Sequence, residues 1–92
     1  LVYLVTYDFE DGGDDGALVA ALESCDAVPL RDGVWLVEAD GTAEGLRATL
    51  QRATAKRRCR LFVGRLQGEC AHQDLCGEAA DWLDDRDEYD FD

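Results

Sequence analysis

Apolar and polar positions divide the chain into a series of short strands and helices. Leu1 to Phe9 (LVYLVTYDF) is β-branched and aromatic, with apolar side chains at both parities until Thr6 and Asp8. Such a run predicts a strand buried on both faces. An acidic, Gly-bearing loop (EDGGDDG) follows, and Asp14 or Asp15 is placed to cap a helix that runs to about Cys25, with Leu18, Leu22 and Cys25 at helical spacing. Ala27 to Arg31 is a short extended piece, and Pro29, which has no N–H to donate, confines it to a sheet edge or a bulge. Asp32-Gly33 signals a two-residue hairpin turn into a return strand, Val34 to Ala39. Thr42 then caps a second helix whose apolar stripe is Ala43, Leu46, Leu50 and Ala53. Arg60 to Leu66 reads as a fourth strand, and Cys76 to Asp84 as a short helix with Ala79, Ala80, Trp82 and Leu83 as its apolar positions. Residues 1–84 are expected to form one domain, and 85–92 an acidic, mobile tail outside it.

The order strand, helix, strand, strand, helix, strand, helix leaves few compact assemblies once crossovers are right-handed and loops short. The simplest is an α+β fold: a ferredoxin-like βαββαβ sandwich with both main helices on one face of a four-stranded antiparallel sheet, followed by a short C-terminal helix and the acidic tail. The first and third strands would be central. In a monomer the other sheet face would be polar. Here Val2 and Leu4 oppose Tyr3, Val5, Tyr7 and Phe9 on the first strand, and Val34 and Leu36 oppose Trp35 and Val37 on the third. Both faces are apolar, so the expectation is a homodimer packed sheet on sheet, with Tyr3, Val5, Tyr7 and Trp35 at its interface.

Composition narrows the class. The 92 residues are 47% hydrophobic and carry 21 acids against 9 bases, a net charge of −12. That charge disfavours adhesion of the whole chain to nucleic acid or anionic lipid. No apolar run approaches the roughly 20 residues needed to span a bilayer, and none follows a basic leader. With no secretion signal, Cys25, Cys59, Cys70 and Cys76 read as reduced thiols of a cytoplasmic protein.

Five blocks carry a family resemblance: YLVTYDF, GVWLVEAD, TAEGLRATL, RLFVGRLQGE and the closing ADWL. In that order and spacing, over residues 1 to 84, they resemble the SinR-family proteins, small stand-alone relatives of the CRISPR-associated protein 2 superfamily. The resemblance implies a ferredoxin-like homodimer packed through its sheets. It also implies a role for the aspartate that ends the first strand, here Asp8 in Tyr7-Asp8. In relatives described as metal-dependent nucleases, two such aspartates face each other across the dimer axis and hold Mg²⁺. In the spacer-acquisition complex the same fold is a noncatalytic bridge, and the related VapD-type toxins cut RNA. CRISPR-associated members often add a C-terminal strand that pairs with the partner subunit, whereas this chain ends in a helix and an acidic tail.

Three groups of residues could carry chemistry. Asp8 lies at the carboxyl end of a central strand, close in sequence to Glu10, Asp11, Asp14 and Asp15. A hard oxygen ligand there suits Mg²⁺, which would stabilise charge on a phosphodiester and activate a water. The plainer reading is a strand-end carboxylate that accepts bonds from loop amides. Between Glu44 and Glu69 stand seven bases and no acid, a basic segment spanning residues 47–65. Arg52, Lys56, Arg57 and Arg58 are its candidate phosphate-binding residues, unless their charges pair with the chain's own carboxylates. Cys70, His72 and Cys76 (CAHQDLC) do not match a zinc-ligand spacing, so zinc is not expected.

Two functions follow. One is a homodimeric scaffold or adaptor in antiviral defence or counter-defence, which binds a protein partner and, through the basic segment, nucleic acid. The other is a Mg²⁺-dependent endonuclease or toxin-like ribonuclease with Asp8 as catalytic and metal-binding residue at the dimer axis.

Overall fold

A computed structural model describes residues 1–54, 57–67 and 70–86. The elements are β1 (Val2–Phe9), α1 (Gly16–Glu23), β2 (Asp26–Arg31), β3 (Val34–Glu38), α2 (Ala43–Arg52), β4 (Cys59–Arg65) and α3 (Gly77–Asp84). The chain is a small α+β domain. Its four strands form one antiparallel sheet in the order β2-β3-β1-β4, so β1 and β3 are central. β2 lies at an edge, and its register with β3 shifts between Pro29 and Arg31. Pro29 therefore sits where a missing N–H costs least, next to a bulge on an edge strand.

Local chemistry sets the joints. At the β2–β3 turn Gly33 has φ +76°, and a Cβ there would stand 2.6 Å from the Tyr7 carbonyl oxygen. Only glycine satisfies both the left-handed backbone and this close approach to β1. Thr42 caps α2 through its hydroxyl, which accepts from the Gly45 N–H at 3.0 Å. α1 is capped differently. Asp14 Oδ1 accepts from the Gly16 N–H at 2.8 Å, while the carboxylate of Asp15 turns inward to accept from the Tyr7 hydroxyl at 2.6 Å.

Period-two alternation along the strands creates two apolar clusters on opposite sheet faces. Tyr3, Val5, Tyr7 and Phe9 from β1 and Trp35 and Val37 from β3 pack against Leu18 and Leu22 of α1 and Leu46 and Leu50 of α2. This is the main core. The other parity gives Val2, Val28 and Leu36, which α3 covers with Ala79, with Trp82 and Leu83 packed around them.

Two sequence expectations are corrected here. Tyr3, Val5, Tyr7 and Trp35 are not an exposed sheet face awaiting a second copy. They are between 0% and 9% exposed and lie under α1 and α2 of the same chain. The tail also starts later than expected. Asp85 is the C-cap of α3 and Arg86 is buried, so the folded domain runs at least to Arg86. The rest of the expected tail, 87–92, lies outside the described residues.

Arg86 is buried because its side chain joins α3 to the sheet. Its Nε donates to Glu38 Oε1 at 2.5 Å, a second nitrogen donates to Asp26, and a third donates to the Trp82 carbonyl at 2.9 Å. The guanidinium stacks 3.6 Å from the Trp82 ring centroid, and the Trp82 indole N–H donates to Asp26 Oδ1 at 3.0 Å. One planar cation thus bridges adjacent ends of β2 and β3 and clamps the helix over the second apolar cluster.

Candidate functional site

The β1–β4 register decides what surrounds Asp8. Tyr7 pairs with Leu61, Asp8 with Arg60 and Phe9 with Cys59. Cross-strand partners share a face, so the Asp8 carboxylate meets the Arg60 guanidinium across the ladder. Arg60 Nε donates to Oδ1 at 2.6 Å and a terminal nitrogen donates to Oδ2 at 3.0 Å. This is the two-pronged geometry in which a guanidinium matches a carboxylate best. The Asp8 carboxylate holds the Arg60 guanidinium above its usual range, by hydrogen bond first and by charge second. Both side chains remain mostly in water, 77% exposed for Arg60 and 60% for Asp8.

The same arrangement repeats one pair along. The Glu10 N–H donates to the Arg58 carbonyl at 3.1 Å, continuing the ladder, and the two side chains form an ion pair at 3.5 Å. Acids on the β1 side thus face bases on the β4 side in a short double row. On that sheet face Phe62 follows Arg60, opposite Thr6, and is 60% exposed. Apart from Leu1 at the chain end, it is the one large hydrophobic side chain so exposed among the described residues. Its ring leans over Gly64, where a Cβ would stand 2.9 Å from it.

Arg57 points the other way and holds the acidic loop. It donates to both Asp11 oxygens and to the Asp14 carbonyl, and its guanidinium lies 4.0 Å from the centroid of the Phe9 ring. Arg57, with the Gly13 N–H, keeps the Asp11 carboxyl below its usual range. Of the four candidate phosphate-binding residues, Arg57 and Arg58 therefore pair with the chain's own carboxylates. Arg52 is exposed in the last turn of α2 and forms no ion pair among the described residues. Lys56 lies outside the described residues. Farther along the basic segment, Arg47 is engaged by Glu44 and Gln51, and Arg65 is exposed without an ion pair among the described residues.

The structure does not gather the acidic residues around Asp8 into a metal site. Asp11 and Asp14 bond loop amides, Asp15 bonds Tyr7, and Glu10 pairs with Arg58. No group of three or more His, Cys, Asp or Glu side chains among the described residues is placed to hold a metal ion. The cysteines are unpaired thiols. Cys70 and Cys76 are exposed and Cys25 and Cys59 half-buried, and burial, then the Asp8 charge, pushes the Cys59 thiol up. A cavity of about 440 Å³ lies over the second sheet face, lined by Leu4, Leu30, Leu36, Leu66, Leu75 and Leu83, with Cys70 and His72 on its wall. No helix of the described residues is long and apolar enough to cross a membrane.

Sequence reasoning missed the Arg86 clamp, the exposed Phe62 and the Arg60 partner of Asp8. The first had a signal: Ala79, Trp82, Leu83 and Arg86 continue one helical stripe, with an arginine stem at its end. Phe62 had a weaker one, the alternation of Arg60, Phe62 and Gly64 against Leu61 and Val63. The pairing of Asp8 with Arg60 had none, because it depends on register between segments 52 residues apart. Comparison with protein-family models, curated proteins and solved structures finds no match to this chain.

Proposed function

We propose that the protein is a noncatalytic homodimeric scaffold or adaptor of ferredoxin-like topology, in the sense implied by the resemblance to CRISPR-associated protein 2, and that it serves prokaryotic or phage defence or counter-defence. The order β2-β3-β1-β4, with α1 and α2 packed on one face, supports the ferredoxin-like reading. The observation that carries the noncatalytic reading is the state of Asp8. Its two oxygens are both taken by Arg60, and an Mg²⁺ ion would have to break that pair before binding. A lone carboxylate neutralised by an arginine suits recognition better than phosphodiester cleavage. Bases without ion pairs among the described residues, Arg52 and Arg65, leave a nucleic-acid contact open as part of the adaptor role.

The test incubates wild type and Asp8→Ala with labelled single- and double-stranded DNA and RNA, in Mg²⁺, in Mn²⁺ and in chelator. The expected result is no metal-dependent cutting by either protein. Metal-dependent cutting by wild type that disappears in Asp8→Ala would replace this reading with the endonuclease or toxin-like ribonuclease.

A further inference from the structure

We infer that the leucine-lined cavity beside α3 is a binding site for a small aliphatic amine, with the alkyl chain inside and the ammonium group at the mouth against Asp84. This goes beyond the adaptor reading and does not depend on it.

Three observations carry it. The first is packing. Register sets Val28, Leu36, Leu4 and Gly64 in one row across the sheet, and the row ends at a residue with no side chain. α3 packs on β2, at the other end of that row. The gap is a cavity of about 440 Å³, and Leu4, Leu30, Leu66, Leu75 and Leu83 around it are only half-buried. Protein interiors seldom leave such a space, because every lining atom without a neighbour forfeits contact energy. The volume lies in the range of small-molecule pockets, and an apolar ligand that fills it recovers what the lining lacks.

The second is the chemistry of the wall. No Phe, Tyr or Trp among the described residues lines the cavity. Leucine side chains favour a flexible aliphatic chain, whereas a flat aromatic ligand would find no ring to stack on. The third is charge. Exposed Cys70, His72, Gln73 and Asp84 bring polar groups to the wall, and Asp84 is its one Asp, Glu, Lys or Arg. Asp84 makes no ion pair among the described residues. It is the last residue of α3, where the helix carbonyls add negative potential. Arg86, two residues on, is taken up by Asp26 and Glu38. With the chain at −12, the mouth favours a cation and repels a carboxylate.

The cysteines provide the readout. Cys70 lines the cavity, while Cys76, equally exposed, does not. The experiment measures iodoacetamide alkylation of each cysteine by mass spectrometry, on the native full chain buffered at pH 7. The arms are no ligand, hexylamine, octylamine, octanol and octanoate. Octylamine should slow Cys70 and leave Cys76 unchanged, with a dissociation constant on the order of 0.1–1 mM. Each methylene should be worth about fourfold, so hexylamine should bind about 15-fold more weakly. Octanol should bind up to about fivefold more weakly than octylamine, and octanoate weakest of the eight-carbon ligands. Asp84→Asn, an exposed and nearly isosteric change, should bring octylamine to the level of octanol. Leu66→Trp, verified as folded by circular dichroism, should fill the cavity and abolish the protection.

No protection of Cys70 by several millimolar octylamine would overturn the site. Equal slowing of Cys70 and Cys76 would overturn it in favour of diffuse adhesion to an acidic surface. Octanoate binding as well as octylamine would overturn the cationic ligand class. Protection of Cys70 without ligand that grows with protein concentration would give the cavity to a second copy. Binding that appears only when Tyr89 and Phe91 are both changed to Ser would give it to the chain's own last residues. Either of these two results would overturn the small-molecule occupant.

Discussion

Replacing Arg86 by Ala should free α3 from the sheet without unfolding the main core. The side chain is about one-tenth exposed and binds Glu38, Asp26 and the Trp82 carbonyl while stacking on the Trp82 ring. Hydrogen bonds between charged groups contribute about 1.5–3 kcal/mol when the partners are left dry. Here Asp26 is 59% and Glu38 39% exposed, so water can replace the lost cation, and about 1 kcal/mol for each is the better figure. Stacking on Trp82 adds about 0.5–1 kcal/mol. The clamp is therefore worth about 2–3 kcal/mol to α3 docking. The helix packs on β2 and the smaller apolar cluster, whereas β1, β3, α1 and α2 share the larger one. The loss should appear as local opening. In native-state hydrogen exchange, the α3 amides, such as those of Ala80 and Asp85, should lose protection about 30- to 150-fold. The slow amides of β1 and β3 should keep theirs. Arg86→Lys, with its charge but no planar fork, should fall between. Unchanged α3 protection would refute the clamp. An equal loss in β1 and β3 would refute the separation of the two clusters into units of different stability.

Three further outcomes are expected. Burial first, then the hydrogen bond to Asp15 and the charge of that carboxylate, pushes the Tyr7 phenol up to about 12 from its ordinary 10.0. Since the protonated form is the one the fold favours, this stabilisation is whole below about pH 10 and is lost as pH rises through about 12, to a limit of about 2–3 kcal/mol. Urea titrations of wild type and Tyr7→Phe across that window should show the alkaline loss in wild type and a smaller one in the variant. Gly33→Ala forces a left-handed backbone on alanine and drives its Cβ to 2.6 Å from the Tyr7 carbonyl oxygen. It should cost about 2–4 kcal/mol in chemical denaturation, and a loss under 1 kcal/mol would contradict the packing of this turn on β1. In alkylation of the native protein, exposed Cys70 and Cys76 should react well before half-buried Cys25 and Cys59. Cys59 should gain most on denaturation, because burial and the Asp8 charge raise its thiol and suppress the reactive thiolate.

The local elements were legible because their signals are local. Pro29 predicted an edge or a bulge and stands at both, Asp32-Gly33 predicted the hairpin turn, and Thr42 predicted the α2 cap. Of the candidate site, position was legible and environment was not. Asp8 does end a central strand, but only the fold brings Arg60 onto both of its oxygens. Arg57 and Arg58 do cluster beside β4, but the same fold delivers Asp11 and Glu10 to them. An ion pair between residues far apart in the chain depends on register, and register is a cooperative property of the whole sheet.

The face assignment shows the same division. When one parity of a strand is apolar and the other polar, the sequence alone tells which side is buried. In β1, Val2 and Leu4 compete with Tyr3, Val5, Tyr7 and Phe9, so periodicity cannot decide which set the helices cover. The chain's own pattern determined the number, kind and order of elements, because turns, caps and amphipathic stripes act over a few residues. Tertiary packing decided that α1 and α2 take the aromatic side, that α3 closes part of the other through Arg86, and that a neutral row of paired charges with Phe62 is left facing water. Those outcomes are choices among competing burials, and only the assembled molecule weighs them against one another.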